Sequence, residues 1–202
     1  MYADLRDRSF EIIAAAQDTG GEAVAGEFYD AAHATFTTLI DTTHAVSSAF
    51  HFTNVPMGVW IDEQGRSVRP AEPAWTASRT NTFGGKPLEI EGEAYVAALR
   101  DWVINGEASA FVLSDEEFAR RVTSRSPAER EADASFKLAV WCHQTGNTDL
   151  ADKHFARAQA LNPADWNYHR QQWSFAPDAN RKWLAKFHAL DQPYYPTLQL
   201  RR

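Results

Sequence analysis

A single thiol, Cys142, seven histidines and 27 acidic side chains are the groups in this 202-residue chain whose types could do chemistry. A lone cysteine makes no intramolecular disulfide and no cysteine-cluster zinc site. Reactive thiols need an exposed, electropositive setting. Cys142 instead falls at a small-residue packing position of a helical pattern, which predicts a buried, inert thiol, and His143 beside it projects about 100° away around the helix. His44 and His51, seven apart, fall on one face of a predicted helix, a spacing that could share a metal. No HExxH pattern or tight triad accompanies them, so they and His33 are expected as capping or surface residues. Asp18, Asp41 and Asp62 lie at strand ends, where sites in α/β folds gather, but turn capping accounts for each. Gly20-Gly21 and Gly84-Gly85 lack the further glycines or lysine of a phosphate loop, and no serine sits in a G-x-S-x-G elbow. The expectation is therefore no catalytic residue, no metal and no cofactor.

Composition narrows the partners. The net charge of −7 argues against nucleic acid, because phosphate binding needs a basic surface. No run of about 18 apolar residues marks a membrane span. The N-terminal MYADLRDRSF lacks an apolar signal core, which predicts a cytoplasmic protein.

The elements that must position any site read as follows. Tyr2 to Arg8 predict the end of a helix, Ser9 to Ala16 an apolar strand covered on both faces, and Glu22 to His33 a helix with Val24 and Phe28 on its apolar side. A strand over 35–40 and a helix over 43–52, capped by Asp41 or Thr42, deliver the chain to Pro56. Pro56 lacks the N–H a strand interior donates, so it belongs before the strand Met57 to Asp62. Glu63-Gln64-Gly65 then turns into a second strand, Arg66 to Arg69, as a β-hairpin. Residues 71–88 predict a long polar loop in which Trp75 could stack and Arg79 bind an anion; the plainer alternative has Trp75 plugging the core edge and Arg79 pairing with an acid. Glu91 to Ile104 is an amphipathic helix through Tyr95, Ala98, Leu99 and Trp102. Ser114 and Ser126 each start a further helix, the first to about Thr123.

The Asn54-Val55-Pro56 triplet, the strand after it and the Ile61 to Arg66 turn resemble the distal half of a thioredoxin-like domain of the redoxin group, the TlpA, ResA and alkyl hydroperoxide reductase type. The resemblance covers about residues 4–104. It implies an α/β sheet and a cis Val55–Pro56 loop that holds substrate backbone beside a Cys-x-x-Cys or peroxidatic cysteine. That cysteine motif is absent, as is the central strand before it. Three arrangements remain open: the strands at 9–16 and 57–62 pair directly, another chain or a homodimer donates a strand, or the natural protein extends upstream of Met1.

Residues 132–165 resemble one tetratricopeptide repeat. Leu138, Ala139 and Cys142 fall at the packing positions of its first helix, Gly146 at the turn, and Ala151, Phe155 and Ala158 in the second helix. Ser135 departs from the family's large aromatic. Helices at 166–175 and 178–189 are expected to cover this unit, with Trp166, Trp173 and Trp183 as the cover, followed by an extended aromatic tail from Asp191 to Pro196. The expected organisation is a thioredoxin-like α/β domain, 1–108, and an all-α helical domain, 109–202. The expected role is a protein- or peptide-binding module with Asn54, Val55, Pro56, Trp75 and Arg79 as contact residues. The alternative is a thiol–disulfide or peroxide oxidoreductase whose cysteines come from upstream residues or a partner chain.

Overall fold

A computed structural model describes residues 1–122 and 124–200. In chain order the elements are α1 (Tyr2–Leu5), β1 (Ile13–Ala16), α2 (Glu22–Ala32), β2 (Thr37–Ile40), α3 (Ala45–Phe50), β3 (Met57–Ile61) and β4 (Ser67–Pro73). They continue with β5 (Arg79–Phe83), β6 (Lys86–Ile90), α4 (Gly92–Asn105), α5 (Asp115–Arg121), α6 (Pro127–Gln144), α7 (Thr148–Leu161), α8 (Trp166–Ser174) and α9 (Ala179–His188). The chain is mixed α/β with a helical C-terminal region. None of its described helices is long and apolar enough to cross a membrane. The expected end of α5, Thr123, lies outside the described residues, as do Arg201 and Arg202.

Two compact units form, and they interleave in sequence rather than dividing at residue 108. One comprises Met1–Phe10 and the described residues of Val55–Thr123 and Asn180–Arg202; the other comprises Glu11–Asn54 and Ser124–Ala179. The described strands pair as three separate two-stranded sheets, β1–β2, β3–β4 and β5–β6. β1 runs parallel to β2 from Ile13 opposite Thr37 to Ala16 opposite Ile40. β1 and β3 share no ladder, so the direct pairing of those two strands is not the arrangement adopted.

In the first unit, Gly65 at φ 77° closes the β3–β4 hairpin, the left-handed conformation its lack of a Cβ permits. Residues 71–88, expected as a loop, instead extend β4 to Pro73 and build a second hairpin around Gly84 and Gly85, at φ 55° and 86°. The polar run Arg79-Thr80-Asn81-Thr82 masked its β character, and Pro87 sits in β6 opposite Thr82. The core is Trp60, Val68, Tyr95, Ala98 and Leu99, with Trp102, Leu198 and Leu200 packed against it. Trp60 Nε1 donates to the Tyr95 hydroxyl at 3.0 Å, and burial pushes the Tyr95 phenol up to about 12.

In the second unit, the α6–α7 hairpin supplies the core: Phe136, Ala139, Cys142, Ala151, Phe155 and Ala158, closed by Tyr168 of α8. Ser126 and Glu129 form a full capping box at the start of α6, as the Ser-Pro-x-Glu spacing requires. Three expectations fail here. Leu138 is 40 % exposed and Phe136 fills the large core position, two residues earlier on the helix. Val24 and Phe28 of α2 are 46 % and 68 % exposed, with the small Ala25 turned inward, and Ile13 of β1 is 66 % exposed rather than covered. Trp166 and Trp173 pack edge-on within this unit, whereas Trp183 belongs to the first.

Asp165 caps α8 by accepting from the Asn167 amide at 3.0 Å, at 5 % exposure. Burial lifts its carboxyl to about 7, with Asp133 adding to the rise and Arg125 and the Asn167 amide opposing it. Folded chains therefore hold this proton between about pH 4 and 7 while unfolded chains release it. Its contribution is full below about pH 4 and is lost as pH rises through about 7. Asp165→Asn keeps the cap and should flatten the fall in stability across that window by up to about 1.4 kcal/mol per pH unit, read by urea unfolding from pH 4 to 7.5.

Candidate functional site

Val55, Pro56, Trp75 and Arg79 all belong to the first unit, where one side chain, Tyr195, meets both Val55 and Trp75. The Val55–Pro56 peptide bond is cis. Immediately before it, Asn54 falls in the second unit and is buried to 1 % exposure. The Tyr195 hydroxyl donates to the Val55 carbonyl at 2.8 Å. Its ring meets Trp75 edge-on, with centroids 5.7 Å apart and planes at 86°. On Trp75 the Arg79 guanidinium lies 4.8 Å from the ring centroid, a cation–π pairing rather than the acid partner expected as the plainer alternative. Arg79 is absent from the ion pairs among the described residues and stays exposed.

Local sequence explains these placements. The β4–β5 connection carries Trp75 out of the sheet two residues past Pro73, and the extended tail after α9 returns Tyr194 and Tyr195 to it. Trp183 stacks on Phe187 at 5.0 Å and 9°, and its Nε1 donates to the Tyr194 hydroxyl at 3.0 Å. Tyr194 meets Tyr195 at 4.7 Å. Lys86 Nζ lies over the Phe187 ring at 5.2 Å and donates to the Phe187 and Leu190 carbonyls at 3.3 and 2.9 Å, capping the end of α9.

Between the hairpins and the tail lies a cleft of about 350 Å³, lined by Pro73, Trp75, Lys86, Pro193, Tyr195 and Pro196 among others. Trp75 Nε1 is shielded from solvent and meets no acceptor among the described residues. A buried donor left unpaired costs about 1–3 kcal/mol. The tail residues are the part of this site that sequence reasoning missed. The aromatic pair Tyr194-Tyr195 between two prolines was the available signal, but nothing local says where a tail lands.

The remaining chemical candidates resolve as structural. Cys142 is 0 % exposed in the α6–α7 core. His33, His44 and His51 each sit in the left-handed region at a helix end. His44 is buried, its Nε2 is 3.2 Å from the Thr19 hydroxyl, and burial lowers its pKa. No cluster among the described residues could hold a metal ion. Asp18 accepts from the Gly20 amide, Asp41 from the Ala45 and Val46 amides, and Asp62 from the Gln64 and Arg66 amides, so each carboxylate closes its own turn.

Comparison of the chain with family models, with curated proteins and with solved structures returns no match.

Proposed function

We propose that this chain is a thioredoxin-related, cysteine-depleted binding module that takes an extended peptide in the Trp75 cleft beside Val55 and Pro56. The observation that carries it is a cleft of about 350 Å³ beside Trp75, walled by prolines and tyrosines, with the Trp75 Nε1–H shielded from solvent and without an acceptor. Proline and aromatic walls suit an extended backbone, whose carbonyls supply the missing acceptor. A thiol reaction by this chain's own residues would have to use Cys142, and that side chain has no access to solvent. The redoxin relation rests on the sequence resemblance at Asn54-Val55-Pro56 and the hairpin after it; β1–β2 and β3–β4 form separate sheets rather than one. The helical hairpin, with Trp141 57 % exposed on α6, is the second surface of the proposed module.

The test is a synthetic library of proline- and aromatic-containing decapeptides titrated into the full chain, followed by tryptophan fluorescence. Trp75→Phe keeps a ring and removes the N–H. It should weaken the selected peptides by about three- to tenfold, the value of one hydrogen bond. Equal affinity for Trp75→Phe and the unaltered chain would overturn the assignment.

A further inference from the structure

We infer that the outward face of α2 is a docking surface for a cationic amphipathic helix of another protein. It is independent of the Trp75 cleft, since α2 belongs to the second unit. The inner face of α2 is accounted for. Ala25 is buried, and one turn on the Tyr29 hydroxyl lies 2.9 and 3.1 Å from the Ala14 and Leu39 carbonyls of the β1–β2 sheet. Beside it runs a second face with Val24, Phe28 and Ala31 at i, i+4 and i+7, one continuous stripe. Val24 is 46 % exposed and Phe28 68 %. A phenylalanine held mostly in water forgoes the burial that stabilises such side chains, and this spacing is how one helix anchors on another.

Charge identifies the occupant. Between Arg8 and Arg66 the chain has no lysine or arginine. Of the carboxylates that this stretch gives the second unit, Asp18 and Asp41 close turns, and Glu11 accepts from the Thr37 amide at 3.0 Å. Glu22, Glu27 and Asp30 are exposed on α2 and enter no ion pair among the described residues. Glu22 suits the first turn, where the helix dipole favours an anion. Asp30 stands near the other end, where the dipole opposes one, and the last turn holds no basic side chain to offset it. Glu27 lies three residues after Val24 and four before Ala31, so it borders the stripe, and Asp30 follows one turn along that flank. An apolar stripe edged by uncompensated carboxylates matches a helix whose own stripe is edged by lysine or arginine. A symmetric dimer through this face would instead bring like charges together.

The experiment uses the full chain and a fluorescein-labelled helical peptide of leucine and lysine alone, leucines at i, i+3, i+4 and i+7, read by anisotropy at low and high salt. A peptide of the same composition in scrambled order has equal charge and no stripe. The ordered peptide should bind about tenfold more tightly than the scrambled one, and Phe28→Ala should remove about tenfold of its affinity. Glu27→Gln combined with Asp30→Asn should weaken it about threefold at low salt and leave less salt dependence. These side chains are exposed, so neither variant should move the urea midpoint, which separates lost docking from lost folding; if Phe28→Ala does unfold, the charge variant decides alone. Equal binding of the two peptides, or of the unaltered chain and either variant, overturns the inference. So does self-association of the unaltered chain that Phe28→Ala abolishes, which gives the face to a second copy.

Discussion

Glu72→Gln is expected to lower the unfolding free energy by about 3–5 kcal/mol, the cost of stranding a buried charge. Arg69 is 0 % exposed and Glu72 5 %. The two meet in a bidentate pair, Nε to Oε1 at 2.7 Å and Nη2 to Oε2 at 2.9 Å. Two further donors reach the Phe111 and Gln199 carbonyls at 2.7 and 2.8 Å, and the guanidinium lies 5.3 Å from the centre of a Trp60 ring. Four of the five Arg69 N–H donors are thus committed, and among the described residues only Glu72 neutralises it. Glutamine keeps the shape and one acceptor but turns an amide NH2 toward the guanidinium, so the substitution removes the charge together with one of the two hydrogen bonds. Urea unfolding at pH 7 measures it. Replacing both partners by methionine should recover more than half of the loss, because the pair's desolvation cost disappears with it. A loss under about 1 kcal/mol for Glu72→Gln would contradict a dry, uncompensated guanidinium.

Phe155→Ala should cost a similar amount, about 3–5 kcal/mol, by opening a cavity in the α6–α7 core. Phe155 is 1 % exposed and meets Phe136 and Phe175 with ring centroids at 5.9 and 6.0 Å. Its other core neighbours, Ala151 and Ala158, are too short to close the gap. Leu138→Ala is the control. The repeat pattern makes Leu138 a packing residue, yet at 40 % exposure it should change stability by no more than about 0.5 kcal/mol. The same chemical unfolding series reads both variants. Equal losses would mean that the repeat pattern, rather than the observed burial, describes the core.

What could be read in the sequence was local. Gly65 announced the β3–β4 hairpin, Ser114 and Ser126 the starts of α5 and α6, and Gly146 the turn between α6 and α7, because caps and tight turns are decided within a few residues. Partner choice was not local. Nothing around Ala14 states that β1 pairs with β2 alone, and the isolated sheets and interleaved units follow from contacts far apart in the chain. The β5–β6 hairpin was hidden because its Thr and Asn residues face solvent or half-bury, leaving no apolar alternation to read. Of the candidate site, Trp75 and Arg79 were found by their types. Tyr195, which joins them to Val55, was placed by the tail's landing alone.

The most direct measurement is the indole region of a 1H–15N spectrum of the full chain during titration with a library-selected peptide. Trp75 Nε1–H is assigned by its absence in Trp75→Phe. The expected result is a downfield shift of that resonance as it gains an acceptor, saturating with the binding curve. Trp60 Nε1–H, already given to the Tyr95 hydroxyl at 3.0 Å, should hold still. A Trp75 resonance that stays unmoved at saturating peptide would contradict the placement of the binding site in this cleft.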